Sequence, residues 1–299
     1  MGLMNRRIFL AGGTAVIAAL VSQPIVLHAK EKPAGSAVDT SRLVTVGGSV
    51  TEIVYALGGG DRLVARDMTS TYPPEAGKLP DIGYMRQLSP ESVLSVDPTA
   101  ILAEEGSGPP ETLDVLKKAA VPLIVVPEKY SEDGILDKIR IVGEALGKAE
   151  AAGKLARTVR AEIDAAEKHL AGVKAPRRVL FLLSAQGGKL LASGTGTAAD
   201  GIIRLAGAEN AVGGFAGYKQ LSDEAVIGAR PDAILMMSGG APGGASDEDI
   251  LSQPAIAATP AGLSKTLIRM DGLYLLGFGP RTAGAIRELS SKLYPRLSD

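Results

Sequence analysis

The chain has 299 residues, of which 32 are basic and 33 acidic, and it contains no cysteine and no tryptophan. This near-neutral balance argues against nucleic-acid binding, for which a strong basic excess is expected, and without cysteine no disulfide or thiolate metal site can form. Only two histidines are present, so a metal-containing ligand is expected to bind through an oxygen donor.

The N-terminal segment has the pattern of an export signal. Arg6 and Arg7 precede an apolar run over residues 11–26, and Leu27-His28-Ala29 follows as a small-residue cleavage site. The paired arginines resemble a twin-arginine signal, with an ordinary secretory leader or an uncleaved anchor as alternatives. A lipoprotein leader is not expected, because lipidation requires a cysteine. Removing residues 1–29 leaves 30 basic and 33 acidic residues, and we expect the mature protein in the periplasm.

After this leader, the first half of the chain alternates strand-like and helical segments. The helix over residues 50–57 is expected to have Ser49 or Thr51 as its N-cap and Glu52 in its first turn. This βαβα alternation predicts a mostly parallel sheet flanked by helices. Strands are predicted over residues 42–46, 63–66, 100–103 and 121–126, and helices over residues 50–57, from Ser89-Pro90-Glu91, and over 111–119.

Residues 135–173 are different, being rich in Ala, Lys, Glu and Arg with apolar residues at helical spacing. A break is predicted near Gly147, followed by a long helix from Lys148 to about Gly172. A helix of this length is suited to join two lobes, with one more surface helix as the alternative.

A second α/β series follows. The Gly187-Gly188 pair is predicted to form a hairpin turn, and residues 194–197 to allow close approach of the backbone to a ligand. The architecture expected is two α/β lobes with mostly parallel sheets, joined by a single long helix, with a ligand cleft between them. Strands are predicted over residues 178–183, 233–237, 267–270 and 273–276, helices over 198–205, 222–227 and 277–294, and domains over 40–134, 135–174 and 175–299.

The segment from Met68 to Pro74 carries the most specific chemical signal. It places Tyr72 on a proline-braced loop ahead of the sequence Ile82-Gly83-Tyr84-Met85-Arg86. A phenolate is a hard anionic donor that suits ferric iron, and tyrosine is a known type of haem ligand. Tyr72 is therefore the preferred candidate for an axial oxygen ligand.

Six motifs together resemble a known family. The chain is similar throughout its mature length to the periplasmic substrate-binding proteins of ABC importers with a helical hinge, and within them to the haem-binding branch. The motifs are Val46-Gly-Gly-Ser-Val-Thr-Glu52, Thr69-Ser-Thr-Tyr-Pro73, Ile82-Gly-Tyr-Met-Arg-Gln-Leu-Ser-Pro-Glu91, Ser193-Gly-Thr-Gly-Thr-Ala-Ala-Asp200, Met237-Ser-Gly-Gly240 and Gly277-Phe-Gly-Pro-Arg281.

This resemblance implies that ferric haem (protoporphyrin IX) is the cargo and that Tyr72 is the axial ligand of its iron. Partners would be an ABC permease and its cytoplasmic ATPase, with the protein acting as a monomer. A guanidinium would stabilise the phenolate or pair with a haem propionate, although each arginine could instead form an interlobe or surface ion pair. The residues implied are Arg86 and Arg281 for that support, Tyr84, Met237, Ser238 and Gly239 for the pocket, and Glu91 and Asp200, or Glu209, for permease docking.

Other functions fit the residues less well. His169 is expected to be a solvated helix residue, so one haem with one tyrosinate ligand is the simpler expectation. A zinc or manganese carrier needs a cluster of His and carboxylates, whereas the mature chain has one His. An enzyme is not expected, because no Gly-x-Ser-x-Gly elbow occurs. A siderophore or cobalamin carrier of the same fold remains the alternative.

Overall fold

The computed structural model describes residues 38–238 and 245–295, and the predicted leader lies outside them.

The first sheet is built on a short, fully buried strand, Leu43–Val46. Four parallel strands have the order β2-β1-β3-β4. They are β1 (Leu43–Val46), β2 (Leu63–Arg66), β3 (Ala100–Glu104) and β4 (Leu123–Val126), with helices α1 (Gly48–Ala56), α2 (Pro90–Leu94) and α3 (Pro110–Lys118) and single 3-10 turns at Gly60–Arg62 and Pro74–Lys78.

The predicted start of α1 was wrong. The helix begins at Gly48 with Gly47 as a cap that offers no side chain, so Glu52 lies beyond the first turn. Neither Ser49 nor Thr51 caps it, because both hydroxyls are used in tertiary hydrogen bonds. Gly47 has φ +106°, a conformation that favours glycine, which lets the chain turn sharply from β1 into the helix.

Two helices follow the first sheet, and the break predicted near Gly147 is confirmed. They are α4 (Glu132–Ala145) and α5 (Ala149–His169). Gly147 adopts φ +68° between them, and the 21 residues of α5 span about 31 Å at 1.5 Å per residue. α5 ends in a short 3-10 turn, Leu170–Gly172, which leads into the second sheet.

The second sheet is mixed, with three parallel and two antiparallel strand pairings. Its order is β10-β9-β5-β6-β8, in which β6 runs antiparallel to β5 across the hairpin predicted at Gly187-Gly188 and antiparallel to β8 on its other side. The strands β6 and β8 were not predicted from the sequence. The elements are β5 (Arg178–Gln186), β6 (Lys189–Ser193), α6 (Ala198–Leu205), β7 (Glu209–Asn210), β8 (Tyr218–Leu221), α7 (Asp223–Ala229), β9 (Ala233–Ser238), α8 (Asp247–Leu251), α9 (Pro254–Ala257), α10 (Pro260–Leu263), β10 (Leu267–Asp271), α11 (Gly272–Leu276) and α12 (Thr282–Leu293).

The strand predicted over residues 273–276 was wrong, because this segment is helix α11. The Asp271 carboxylate accepts a hydrogen bond from the amide of Tyr274 and so caps the helix. A short apolar run fits either a strand or a buried helix, and periodicity alone cannot decide between them. The helical turn is what carries the chain from β10 back toward the first lobe.

One apolar core connects the two sheets through the intervening helices. It contains Leu43 and Leu102 of the first sheet, Ile139 of α4, Ile163 of α5 and Phe181 of the second sheet. The two-lobed α/β fold is thus as expected. The domain limits at residues 134 and 174 stay a prediction, since this core is continuous across them.

Among the described residues, no helix is both long and apolar enough to cross a membrane.

Candidate functional site

The loop that carries Tyr72 is organised by one buried carboxylate, Asp67. Its Oδ1 accepts hydrogen bonds from the Gly47 amide (2.9 Å) and the Ser70 hydroxyl (2.6 Å). Its Oδ2 accepts from the amide (2.8 Å) and hydroxyl (2.6 Å) of Thr69. Four donors hold this carboxylate in place, so the backbone leading to Tyr72 is fixed to the end of β1.

Tyr72 itself is presented rather than packed away. Its side chain is 39% exposed, and the peptide bond to Pro73 is cis. Ser70, two residues earlier, is fully buried and shares a 2.6 Å hydrogen bond with Thr51 of α1. A rigid base and an accessible phenol are what a ligand-binding loop requires.

Arg281 of the second lobe lies directly against Tyr72 of the first. Its guanidinium carbon is 3.6 Å from the centroid of the Tyr72 ring and 5.3 Å from that of Tyr274. Its Nε donates to Oε2 of Glu52 at 2.9 Å, and its main-chain amide donates to Oε1 at 3.1 Å. The structure therefore brings two residues of the predicted site together and adds Glu52, which the sequence had placed only as a helix residue.

Arg86 and Tyr84 lie on a second loop that packs against the first. The Met68 amide donates to the carbonyl of Gly83 at 2.9 Å, which joins the two loops. Nη1 of Arg86 donates to the Tyr84 hydroxyl at 2.8 Å, and its guanidinium lies 5.9 Å from that ring. Arg86 is exposed, so its remaining donors are available to a carboxylate ligand.

Small residues let the lobes approach closely beside Tyr72. A Cβ built on Gly48, at the start of α1, would lie 2.8 Å from the carbonyl oxygen of Thr69 and would also overlap Leu273 of α11. A side chain at Gly48 would therefore displace the backbone of the Tyr72 loop and the Leu273 side chain of the second lobe.

A buried charged network lies at the same boundary. Lys138 of α4 donates to Glu128 (2.6 Å), to the Ser49 hydroxyl (3.0 Å) and to the carbonyl of Gly277 (3.2 Å). The Ser49 hydroxyl in turn donates to Glu104 at the end of β3. No local pattern of residues indicated this network, because its members come from five different segments.

The pKa values in the network reflect its burial. Burial raises the pKa of Glu128 to about 8, with Lys138 opposing the shift and Glu104 adding to it. Burial, together with the carboxylates of Glu128 and Glu104, also raises the pKa of Tyr130 to about 12. Tyr130 is therefore a neutral phenol at physiological pH, and it packs edge-on against Phe278 of the second lobe with centroids 5.3 Å apart.

The proposed docking residues differ in accessibility. Glu91 is exposed in the first turn of α2, where a hydrogen bond from Ser89 lowers its pKa. Asp200 is buried at the start of α6 and accepts a hydrogen bond from Asn210 at 3.2 Å. Its carboxylate is thus not offered to a partner in this structure, whereas the alternative Glu209 is exposed.

The remaining predicted residues are dispersed. Met237 is half-buried and Ser238 is exposed at the end of β9, while Gly239 lies outside the described residues. Their contact with a ligand stays a prediction. His169 is exposed at the last position of α5, as expected. Within residues 38–238 and 245–295, no group of three or more His, Cys, Asp or Glu is arranged to hold a metal ion.

Two α/β lobes with helices between them are the architecture of periplasmic binding proteins. The model of the periplasmic binding protein family matches residues 43–273, and the chain belongs to that family.

Of three similar proteins, two have names that state a cargo. The periplasmic heme-binding protein RhuT from Roseiflexus sp. RS-1, solved in its apo form, has 40% sequence identity to this chain. Its structure matches with a TM-score of 0.82, and the match covers 86% of this chain and 99% of that chain. A vitamin B12-binding protein of Pectobacterium atrosepticum is 30% identical over 84% of this chain and 88% of its own length. The uncharacterised ABC transporter substrate-binding lipoprotein YvrC of Bacillus subtilis is 27% identical over 86% of this chain and 81% of its own length.

Proposed function

We propose that this protein captures ferric haem between its lobes, with the Tyr72 oxygen as axial ligand of the iron, and delivers it to an ABC permease. The observation that carries the proposal is the exposed Tyr72 on its fixed loop with the Arg281 guanidinium 3.6 Å from its ring. A ferric ion and an adjacent cation both favour the phenolate over the phenol. The likeness to a haem-binding protein at 40% identity supports the same cargo.

Arg86 is proposed to bind a haem propionate. Its guanidinium is exposed, and it donates a hydrogen bond to the Tyr84 hydroxyl. A planar guanidinium can bond both oxygens of a carboxylate at once. Tyr84, held by Arg86, would line the same part of the pocket, together with Met237, Ser238 and Gly239 of the second lobe.

The test is a titration of the purified mature protein with ferric haem, followed by visible absorbance. We expect saturable one-to-one binding with a tyrosinate-type ferric spectrum, and loss of that spectrum in Tyr72→Phe, which keeps the ring and removes the oxygen. Tyr55→Phe is the matched control, because Tyr55 lies on α1 with its ring beside Gly60, outside the site. Binding with an unchanged spectrum in Tyr72→Phe would move the axial site elsewhere.

Cobalamin is the second candidate, favoured by the 30% identity to a vitamin B12-binding protein. The same titration with cyanocobalamin separates the two. Saturable binding of cobalamin without binding of haem would replace the proposal. If neither ligand binds, a ferric siderophore becomes the leading cargo.

Delivery and export are further parts of the proposal. Membership of the family and the likeness to an ABC transporter substrate-binding protein support a permease and its ATPase as partners. Glu91, which is exposed on the first lobe, is the carboxylate proposed to contact the permease. Removal of residues 1–29 during export is checked by N-terminal sequencing of protein recovered from the periplasm.

A further inference from the structure

Glu52 is the side chain that connects the candidate ligand loop to the opposite lobe. It projects from α1 of the first lobe and is only 5% exposed. Both of its carboxylate oxygens bond to one residue 229 positions later in the chain, Arg281, which caps α12 of the second lobe. The Nη2 nitrogen of Arg281 also lies 2.9 Å from Oε2 of Glu52.

This pairing determines where the guanidinium lies. An arginine side chain has several rotatable bonds and loses much rotamer freedom when it is fixed. Here the main-chain amide and Nε are both bonded to the same carboxylate, which sets the position of the backbone and the direction of the side chain together. The result is the 3.6 Å stacking of Arg281 on Tyr72.

The burial of Glu52 adds to this argument. Desolvation raises its pKa, and hydrogen bonding and charge from Arg281 oppose that shift. Lys138 is the next cation that acts on this carboxylate. A buried carboxylate without a partner is costly, so Glu52 favours states in which Arg281 remains beside it.

We propose that Glu52 is a positioning residue for the iron ligand: it holds Arg281 of the second lobe against the ring of Tyr72 in the first lobe. The cation then supports the ligand only while the lobes are closed. Separating the lobes withdraws Arg281 from Tyr72, weakens the bond to iron and favours release. This inference rests on the proposed function for its consequence, but the contact that it describes is a property of the ligand-free protein.

The first test uses the ligand-free protein. Tyrosine is labelled with carbon-13 in the ring, and the Tyr72 signal is assigned by its loss in Tyr72→Phe. In Arg281→Ala the signal should move, because the stacked cation is gone. In Glu52→Gln we expect the Tyr72 signal to move most of the way to its position in Arg281→Ala. In the double variant Glu52→Gln with Arg281→Ala, the signal should coincide with that of Arg281→Ala alone.

The second test uses haem dissociation, measured by transfer to apomyoglobin. Glu52→Gln should release haem about tenfold faster, in the range of coupling between contacting residues. In the Arg281→Ala background the same change should have little further effect, because Glu52 acts through Arg281. Equal acceleration in both backgrounds would overturn the proposal.

Glu128→Gln is the matched control, since Glu128 is also a buried carboxylate at the lobe boundary but is bonded to Lys138. It should leave the Tyr72 signal in place. If Glu52→Gln leaves the Tyr72 signal unmoved, as this control does, Glu52 is a structural ion pair only. Should Glu52→Gln fail to fold, Arg281→Lys tests the same contact by keeping the charge and losing the planar fork. The Tyr72 signal should then move toward its Arg281→Ala position, and an unmoved signal would again overturn the proposal.

Haem as the cargo and Glu52 as a positioning residue can each be contradicted without contradicting the other. Movement of the Tyr72 signal without any haem binding would keep the positioning role and remove haem as cargo. Haem binding with an unmoved signal would keep the cargo and remove the role of Glu52.

Discussion

Lys138 and Glu128 form a buried ion pair where the two lobes meet, with Nζ of the lysine 2.6 Å from Oε2 of the glutamate. The same ammonium donates to the Gly277 carbonyl of the second lobe at 3.2 Å. The lysine side chain is fully buried and that of Glu128 is 7% exposed. The Lys138 ammonium thus connects the two lobes. Its hydrogen-bond network contains two carboxyl groups, those of Glu128 and Glu104.

Stability is expected to fall with rising pH because of Glu128. Burial raises its pKa from a usual value of 4.5 to about 8 in the folded protein. The folded state therefore holds a proton that the unfolded state releases first. The stabilisation is fully present below pH 4.5 and is lost as pH rises through 8. Urea unfolding of the ligand-free protein between pH 5 and 9 should show a loss of roughly 2–4 kcal/mol.

Glu128→Gln isolates this effect. Glutamine resembles the protonated carboxyl group in shape and does not titrate, so the decline with pH should be strongly reduced. A decline of unchanged size in Glu128→Gln would assign the titration to another group, of which Glu104 is the nearest candidate.

Removing the Lys138 ammonium should by itself lower the free energy of unfolding. Above pH 8, where Glu128 is ionised, Lys138→Met keeps the length of the side chain but leaves the Glu128 charge buried without its partner, and we expect a loss of about 3 kcal/mol in the free energy of unfolding. The double change Lys138→Met with Glu128→Gln should recover much of that loss, because no buried charge remains unpaired. Chemical denaturation of the four proteins measures this, and additive losses would contradict the coupling.

The Tyr72 loop should depend on Asp67. Asp67→Ala removes the acceptor of four hydrogen bonds from three residues, which we expect to cost about 2–3 kcal/mol in stability. Hydrogen exchange should accelerate at the amides of Gly47 and Thr69, and haem affinity should fall with it. Unchanged exchange at Thr69 would show that the loop holds its conformation by other contacts.

Arg86 should affect affinity without changing the iron ligand. Arg86→Ala is expected to weaken haem binding about tenfold, the loss of one charge-assisted hydrogen-bonded pair, and to leave the tyrosinate spectrum as in the wild type. Tyr84→Phe is the companion variant, since it removes only the hydroxyl that Arg86 contacts. A changed ferric spectrum in Arg86→Ala would instead give Arg86 a role at the ligand itself.

Strongly patterned segments were predictable because their signals are local. The buried strand Leu43–Val46, the Ser89 cap of α2 and the break at Gly147 each follow from residues within one turn or strand. Where two local signals compete, prediction failed. The run at residues 273–276 became a helix because Asp271 caps it, and Gly47 rather than a hydroxyl residue occupies the N-cap position of α1.

Sequence alone determined the chemistry that this protein can offer. It placed a phenol on a proline-braced loop, excluded thiolate ligands and led to the family through short motifs. Tertiary structure decided which charges act together. Glu52 and Arg281 are 229 residues apart and meet only because the lobes close on each other, and Lys138 finds its partners in the same way. Such contacts depend on the packing of separate lobes, which no local pattern of residues encodes.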